Sequence, residues 1–227
     1  MRYTKAKGVY YMEKKKMKLW KKILIVIGII LILFLIITTR KVMILLELGN
    51  VSEETQKNTN YYTQQISMQD GNVVITRMYC KDTKYLQMTE VIGIVNKTRK
   101  ITMYHDDKKE ISIIQSGENK VAILNESKQI AKFNINTYGY GTDFWTNLQV
   151  ALMSRITTEK QAGRECYVIN IMGDLKLWVD KENGLVLKDE TKNNVNQYSY
   201  ELNMVKDEDV LKPDISDCVI QENNNQK

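Results

Sequence analysis

Histidine, proline and cysteine are all scarce in these 227 residues: one, one and three respectively. With His105 alone, a histidine-dependent catalytic triad or zinc site would have to rest on a single residue, and it sits where a hairpin turn is expected. Gly-x-Ser-x-Gly and phosphate-loop patterns are missing too. Three cysteines, Cys80, Cys166 and Cys218, give an odd count with no metal-ligand spacing. They read as small buried residues, with one disulfide as the alternative. The sequence also lacks any Gly/Ser/Pro-rich linker and any βαβ alternation, which excludes a parallel doubly wound fold. The expectation is a protein with no catalytic residues, no metal site and no cofactor.

Positive charge is present but confined. Residues 1–41 hold eleven of the 33 Lys/Arg and only Glu13 of the 27 Asp/Glu, leaving 22 against 26 for residues 42–227. The folded part is therefore slightly acidic, which argues against nucleic acid as a partner. The basic tail, residues 1–22, leads into Ile23–Thr39, 17 residues without a charge. As a helix this run covers about 25 Å, close to a ~30 Å hydrocarbon core once flanking lysines and Trp20 are counted. The positions around Ile37-Thr38-Thr39-Arg40 lack the small residues of a cleavage site, so the run reads as an uncleaved anchor in a cell membrane. Nine Lys/Arg precede it, which puts the N-terminus in the cytoplasm and the rest outside.

Beyond Lys41 the helical pattern is expected to run on to a stop at Gly49-Asn50. From Tyr61 short β-type runs alternate with turns: Tyr61–Gln69, Val73–Cys80, Lys84–Ile92, Lys100–Tyr104, Glu110–Gln115 and Lys120–Leu124. Asp70-Gly71 marks a hairpin. Thr142–Ile156 breaks the pattern, because Phe144, Trp145, Leu148, Ala151, Leu152 and Ile156 follow helical spacing. β texture returns in Arg164–Met172, Leu175–Asp180, Leu185–Glu190 and Gln197–Val205. Gly184 is expected at positive φ, and Gln221–Lys227 as a frayed end. Asp106-Asp107 and Asp207-Glu208-Asp209 read as charged turns. Asn50-Val51-Ser52, Asn96-Lys97-Thr98 and Asn125-Glu126-Ser127 match a glycosylation sequon but carry little weight in an Asn-rich chain.

The stretch Cys166-Tyr167-Val168-Ile169, followed by Leu177-Trp178-Val179-Asp180-Lys181-Glu182-Asn183-Gly184-Leu185-Val186-Leu187-Lys188, resembles a recurring hairpin of the LolA-like superfamily. Lys84–Met88 and Ile101–Tyr104 are similar to two further hairpins of that group. It includes lipoprotein carriers, regulators of envelope-stress anti-sigma factors and germination lipoproteins. The resemblance covers roughly residues 43–206, departs from the pattern at His105-Asp106-Asp107, and replaces a cleaved leader by an anchor. It implies a half-barrel: a curved antiparallel sheet of about ten strands, partly covered by helices around an apolar hollow. The expected organisation is a transmembrane helix at 23–39, an α+β extracytoplasmic domain at 42–215 and a tail at 216–227.

The function this implies is a tethered binding module holding a lipid, acyl chain or lipidated segment at the outer face of the membrane. The alternative is a regulatory protein docking on an envelope or cell-wall enzyme. Phe144, Trp145, Leu148, Leu152 and Trp178 are the expected ligand-binding residues, with the α-helical stripe turned inward to close the hollow.

Overall fold

The computed structural model describes residues 3–69, 71–93, 98–106, 109–126 and 135–222; side chains are described from Leu19 onward. Asp70, Asn96, Asp107, Ser127 and the last five residues, which figure in the readings above, lie outside that set. The chain divides into two compact units, Met1–Ile44 and Leu45–Lys227.

The first unit is the front of α1 (Tyr3–Gln56). Its apolar side chains from Ile23 to Ile37 point outward around the whole circumference. It is the one described helix long and apolar enough to cross a membrane.

The second unit is α+β, built on one curved, unclosed sheet of twelve strands. In chain order these are β1 (Asn60–Gln69), β2 (Asn72–Lys81), β3 (Lys84–Ile92), β4 (Arg99–His105), β5 (Lys109–Ser116) and β6 (Asn119–Glu126). After α2 (Phe144–Met153) come β7 (Ser154–Gln161), β8 (Arg164–Ile171), β9 (Leu175–Asp180), β10 (Val186–Thr191), β11 (Asn194–Leu202) and β12 (Val219–Glu222). The spatial order is β12-β6-β5-β4-β3-β2-β1-β11-β10-β9-β8-β7. Two antiparallel meanders thus meet where β1 pairs with β11, and Tyr61 faces Leu202 across that seam. All pairings are antiparallel except β12 on β6. Period-two alternation delivers Tyr198, Tyr200 and Leu202 to the core, where they join Tyr61, Met78, Cys80, Val168 and Trp178.

The expected curved α+β half-barrel is found, with twelve strands where about ten were expected. Other expectations are corrected. The helix expected over Thr142–Ile156 ends at Met153, and Ile156 belongs to β7, opposite Ile169. The cause is pairing with a distant strand: Ser154 already faces Ile171, so the chain turns extended at once. β12 occupies part of the expected C-terminal tail, tied in by the Lys120–Asp217 ion pair. Gly49-Asn50 does not stop α1, which continues to Gln56. Gly49 is there for space: a Cβ would overlap the Gly141 carbonyl oxygen. Beyond it, Thr55 Oγ1 donates to the Asn183 carbonyl at 2.7 Å and Gln56 Nε2 to Thr137 Oγ1 at 2.6 Å. These bonds, with buried Leu45 and Leu48, seat the last three turns of α1 on the sheet's β9–β10 turn and the 135–142 segment.

Candidate functional site

Asp143 starts α2: its side chain accepts the Thr146 N–H at 2.7 Å, and this bond holds its carboxyl below the usual carboxylate range. The helix that follows, Phe-Trp-Thr-Asn-Leu-Gln-Val-Ala-Leu-Met, is apolar on nearly every side. Hydrophobicity alone therefore leaves its rotation open. Asn147 fixes it. Its amide is fully buried, donates to the Gly141 and Asp143 carbonyls at 3.0 and 2.9 Å, and accepts the Tyr138 hydroxyl at 2.8 Å. A buried amide needs such partners, and they exist on one side only. Val150 and Ala151, three and four residues on, turn inward with it.

The stripe expected to face inward consequently faces out. Phe144 is 50% exposed and Trp145 69%; Leu152 and Met153 are also exposed and Leu148 is half-buried. The Phe144 and Trp145 rings meet edge-on, 5.4 Å between centroids. Met172, in the β8–β9 turn, donates its N–H to the Met153 carbonyl at 3.1 Å, which brings a further 68%-exposed apolar side chain to the C-terminal end of α2. The result is an apolar surface without lysine or arginine among its six residues.

Trp178 is elsewhere. On β9 it is 4% exposed, and its Nε1 donates to Glu159 at 3.0 Å. The ammonium groups of Lys176 and Lys188 stand 4.2 and 4.3 Å from its ring centroid. The structure brings Phe144, Trp145, Leu148 and Leu152 onto one helix and keeps Trp178 in the core of the sheet.

His105 is not in a turn. It ends β4, buried, paired between Tyr85 and Glu110, with its ring stacked 5.1 Å from that of Tyr85. Neither ring nitrogen finds a hydrogen-bond partner among the described residues. The Asp106 carboxylate accepts the Lys109 N–H. Asp207 pairs with Lys81, and Asp209 accepts the Lys206 N–H. Among the described residues no three His, Cys, Asp or Glu side chains converge as metal ligands. Cys80, Cys166 and Cys218 are free thiols.

Sequence reasoning missed Met172 and the part played by Asn147. An amide in the middle of an otherwise apolar helix was the available signal, since such a group is buried only where partners await it.

No protein-family description and no curated protein matches the sequence. Among solved structures, MucB in complex with the periplasmic part of MucA is similar over 78% of this chain, at 10% identity and a TM-score of 0.36. MucB alone gives 14% over 76% of the chain, with a TM-score of 0.38. This chain spans 61% and 63% of the length of those two MucB chains. A DUF1329 family protein from Desulfovibrio piger is similar over 75% of this chain and 99% of its own, at 8% identity and a TM-score of 0.26. These scores are low, and the matches carry no residue, ligand or partner across to this chain.

Proposed function

We propose that this chain is a membrane-tethered, extracytoplasmic, non-catalytic binding module of LolA-like architecture. Its binding face is the outward side of α2, made by Phe144, Trp145, Leu148 and Leu152, and its ligand is apolar: a lipid, an acyl chain or a lipidated segment. In this reading residues 23–39 span the membrane, residues 1–22 stay in the cytoplasm and the sheet domain lies outside. The observation that carries the proposal is the exposure of Trp145 on a helix whose rotation is fixed by Asn147. A solvated indole beside a phenyl ring and a leucine costs solubility and adds nothing to the core, so it is expected to be covered in use.

The test is a photo-crosslinker in place of Trp145 in the full-length chain within its native membrane, with adducts identified by mass. Lipid adducts are expected. Adducts dominated by one envelope protein would replace this reading by the docking alternative, and crosslinks to water alone would end both.

A further inference from the structure

We infer that the outward face of α2, extended by Met153 and Met172, docks onto the surface of the lipid bilayer in which the chain's own apolar helix is anchored. This rests on the proposed tether and names the occupant of the proposed binding face: the bilayer interface itself rather than a lipid taken from solution.

Three observations carry it. The first is the kind of side chain exposed. Tryptophan and phenylalanine favour the membrane–water interface, and leucine and methionine enter the acyl boundary. All of these occur on this face, while the other large indole of the sheet domain, Trp178, is buried.

The second is Met172. It sits at φ +52°, in the left-handed region that asparagine and glycine tolerate and a bulky residue does not favour, and it is exposed to solvent. A turn selected for stability alone would hold a small polar residue there; a strained, exposed methionine marks a residue kept for contact.

The third is reach. The α2 side of the domain is fastened to α1 at Gly49, against Gly141, and Glu53 accepts the Thr142 hydroxyl at 3.0 Å. Only Arg40–Leu48 separates Gly49 from the apolar run. Nine residues extend about 30 Å at most, whatever their conformation. Gly49, and through it the domain that carries the face, is tethered by this short stretch to any bilayer the run spans, so the face meets that bilayer at high effective concentration and a few inserted side chains suffice. A soluble partner has no such advantage. The described charges beside the face in the chain are Asp143, Arg155 and Asp174, of mixed sign and without a basic cluster, so the docking is apolar and insensitive to salt.

The experiment uses the full-length chain, with Trp20→Phe, reconstituted in phosphatidylcholine/phosphatidylglycerol vesicles with and without doxyl-labelled lipid. Trp145 emission is expected to shift to the blue and to be quenched by the shallow label, unchanged in high salt. Trp145→Phe should abolish the quenchable component, and Met172→Asp should weaken it while the fold, followed by circular dichroism, persists. Unquenched Trp145 in a vesicle-bound chain overturns the docking, as does a blue shift without quenching that grows with protein density, which indicates a second copy. Loss of the chain from vesicles under alkaline carbonate refutes the tether instead, so the two failures are told apart.

Discussion

Ser52 stands over Gly184 so closely that the glycine has no room for a side chain. An added Cβ would overlap Ser52 Oγ, which itself donates to the Gly184 carbonyl at 3.3 Å. Gly184 also holds φ at +68°, as the Asn-Gly turn required. The β9–β10 turn is thus one place where helix α1 and the sheet meet with no room for an added side chain. Gly184→Ala is expected to destabilise by about 1–3 kcal/mol through strain and overlap together. Gly49→Ala makes the sharper case. Helix propensity alone favours alanine by about 1 kcal/mol, yet overlap with the Gly141 carbonyl predicts a lower melting temperature. A rise in melting temperature for Gly49→Ala would show that α1 does not seat on the 135–142 segment.

The two tryptophans of the domain should separate stability from binding. Trp178→Ala removes a buried ring and is expected to cost about 3–5 kcal/mol. Trp145→Ala removes an exposed one and should change stability in detergent by no more than about 0.5 kcal/mol. Chemical denaturation of both variants checks this. Equal losses would mean that Trp145 is covered within the folded domain.

Burial pushes the phenols of Tyr61, Tyr138 and Tyr200 well above their ordinary value, and that of Tyr85 to about 12. The neutral phenol suits the folded state. Their stabilisation is therefore complete below the unfolded value of 10 and is lost as pH climbs from there toward the folded values. The domain should melt at progressively lower temperature above pH 10, with the phenolate absorbance of these buried tyrosines appearing together with unfolding rather than before it. Surface ion pairs contribute little to this trend. Phenolate absorbance that develops fully in a still-folded protein would contradict the burial.

Thiol labelling offers a fourth check. Cys80 and Cys166 are buried, and desolvation raises both thiols above their usual value, whereas Cys218 is partly exposed. One thiol should react with a water-soluble reagent in the native protein and all three after denaturation. Any native disulfide seen by mass spectrometry under non-reducing conditions would refute this arrangement.

Legibility in the sequence varied with how local the cause was. β9 is found where alternation put it, Leu175–Asp180, and β1 to β6 fall within a residue or two of their expected runs. β7 was hidden because Ile156 happens to continue the helical spacing of Leu148 and Leu152, while the decision to go extended is made by pairing with β8. His105 lies just past the expected run Lys100–Tyr104, and its cross-strand neighbours Tyr85 and Glu110 draw it into β4.

The sequence by itself determined what depends on composition and near neighbours: a 17-residue uncharged run with a basic flank, an acidic β-rich remainder, and a helix opening near Thr142. Tertiary structure alone decided which side of α2 is bare, why position 49 is glycine, and that Val219–Glu222 completes the sheet. An apolar helix can bury any of its faces at similar gain. The choice fell to the Asn147 amide, which donates to the Gly141 carbonyl and accepts from the Tyr138 hydroxyl, partners brought within reach only when the 135–142 segment is laid against the sheet.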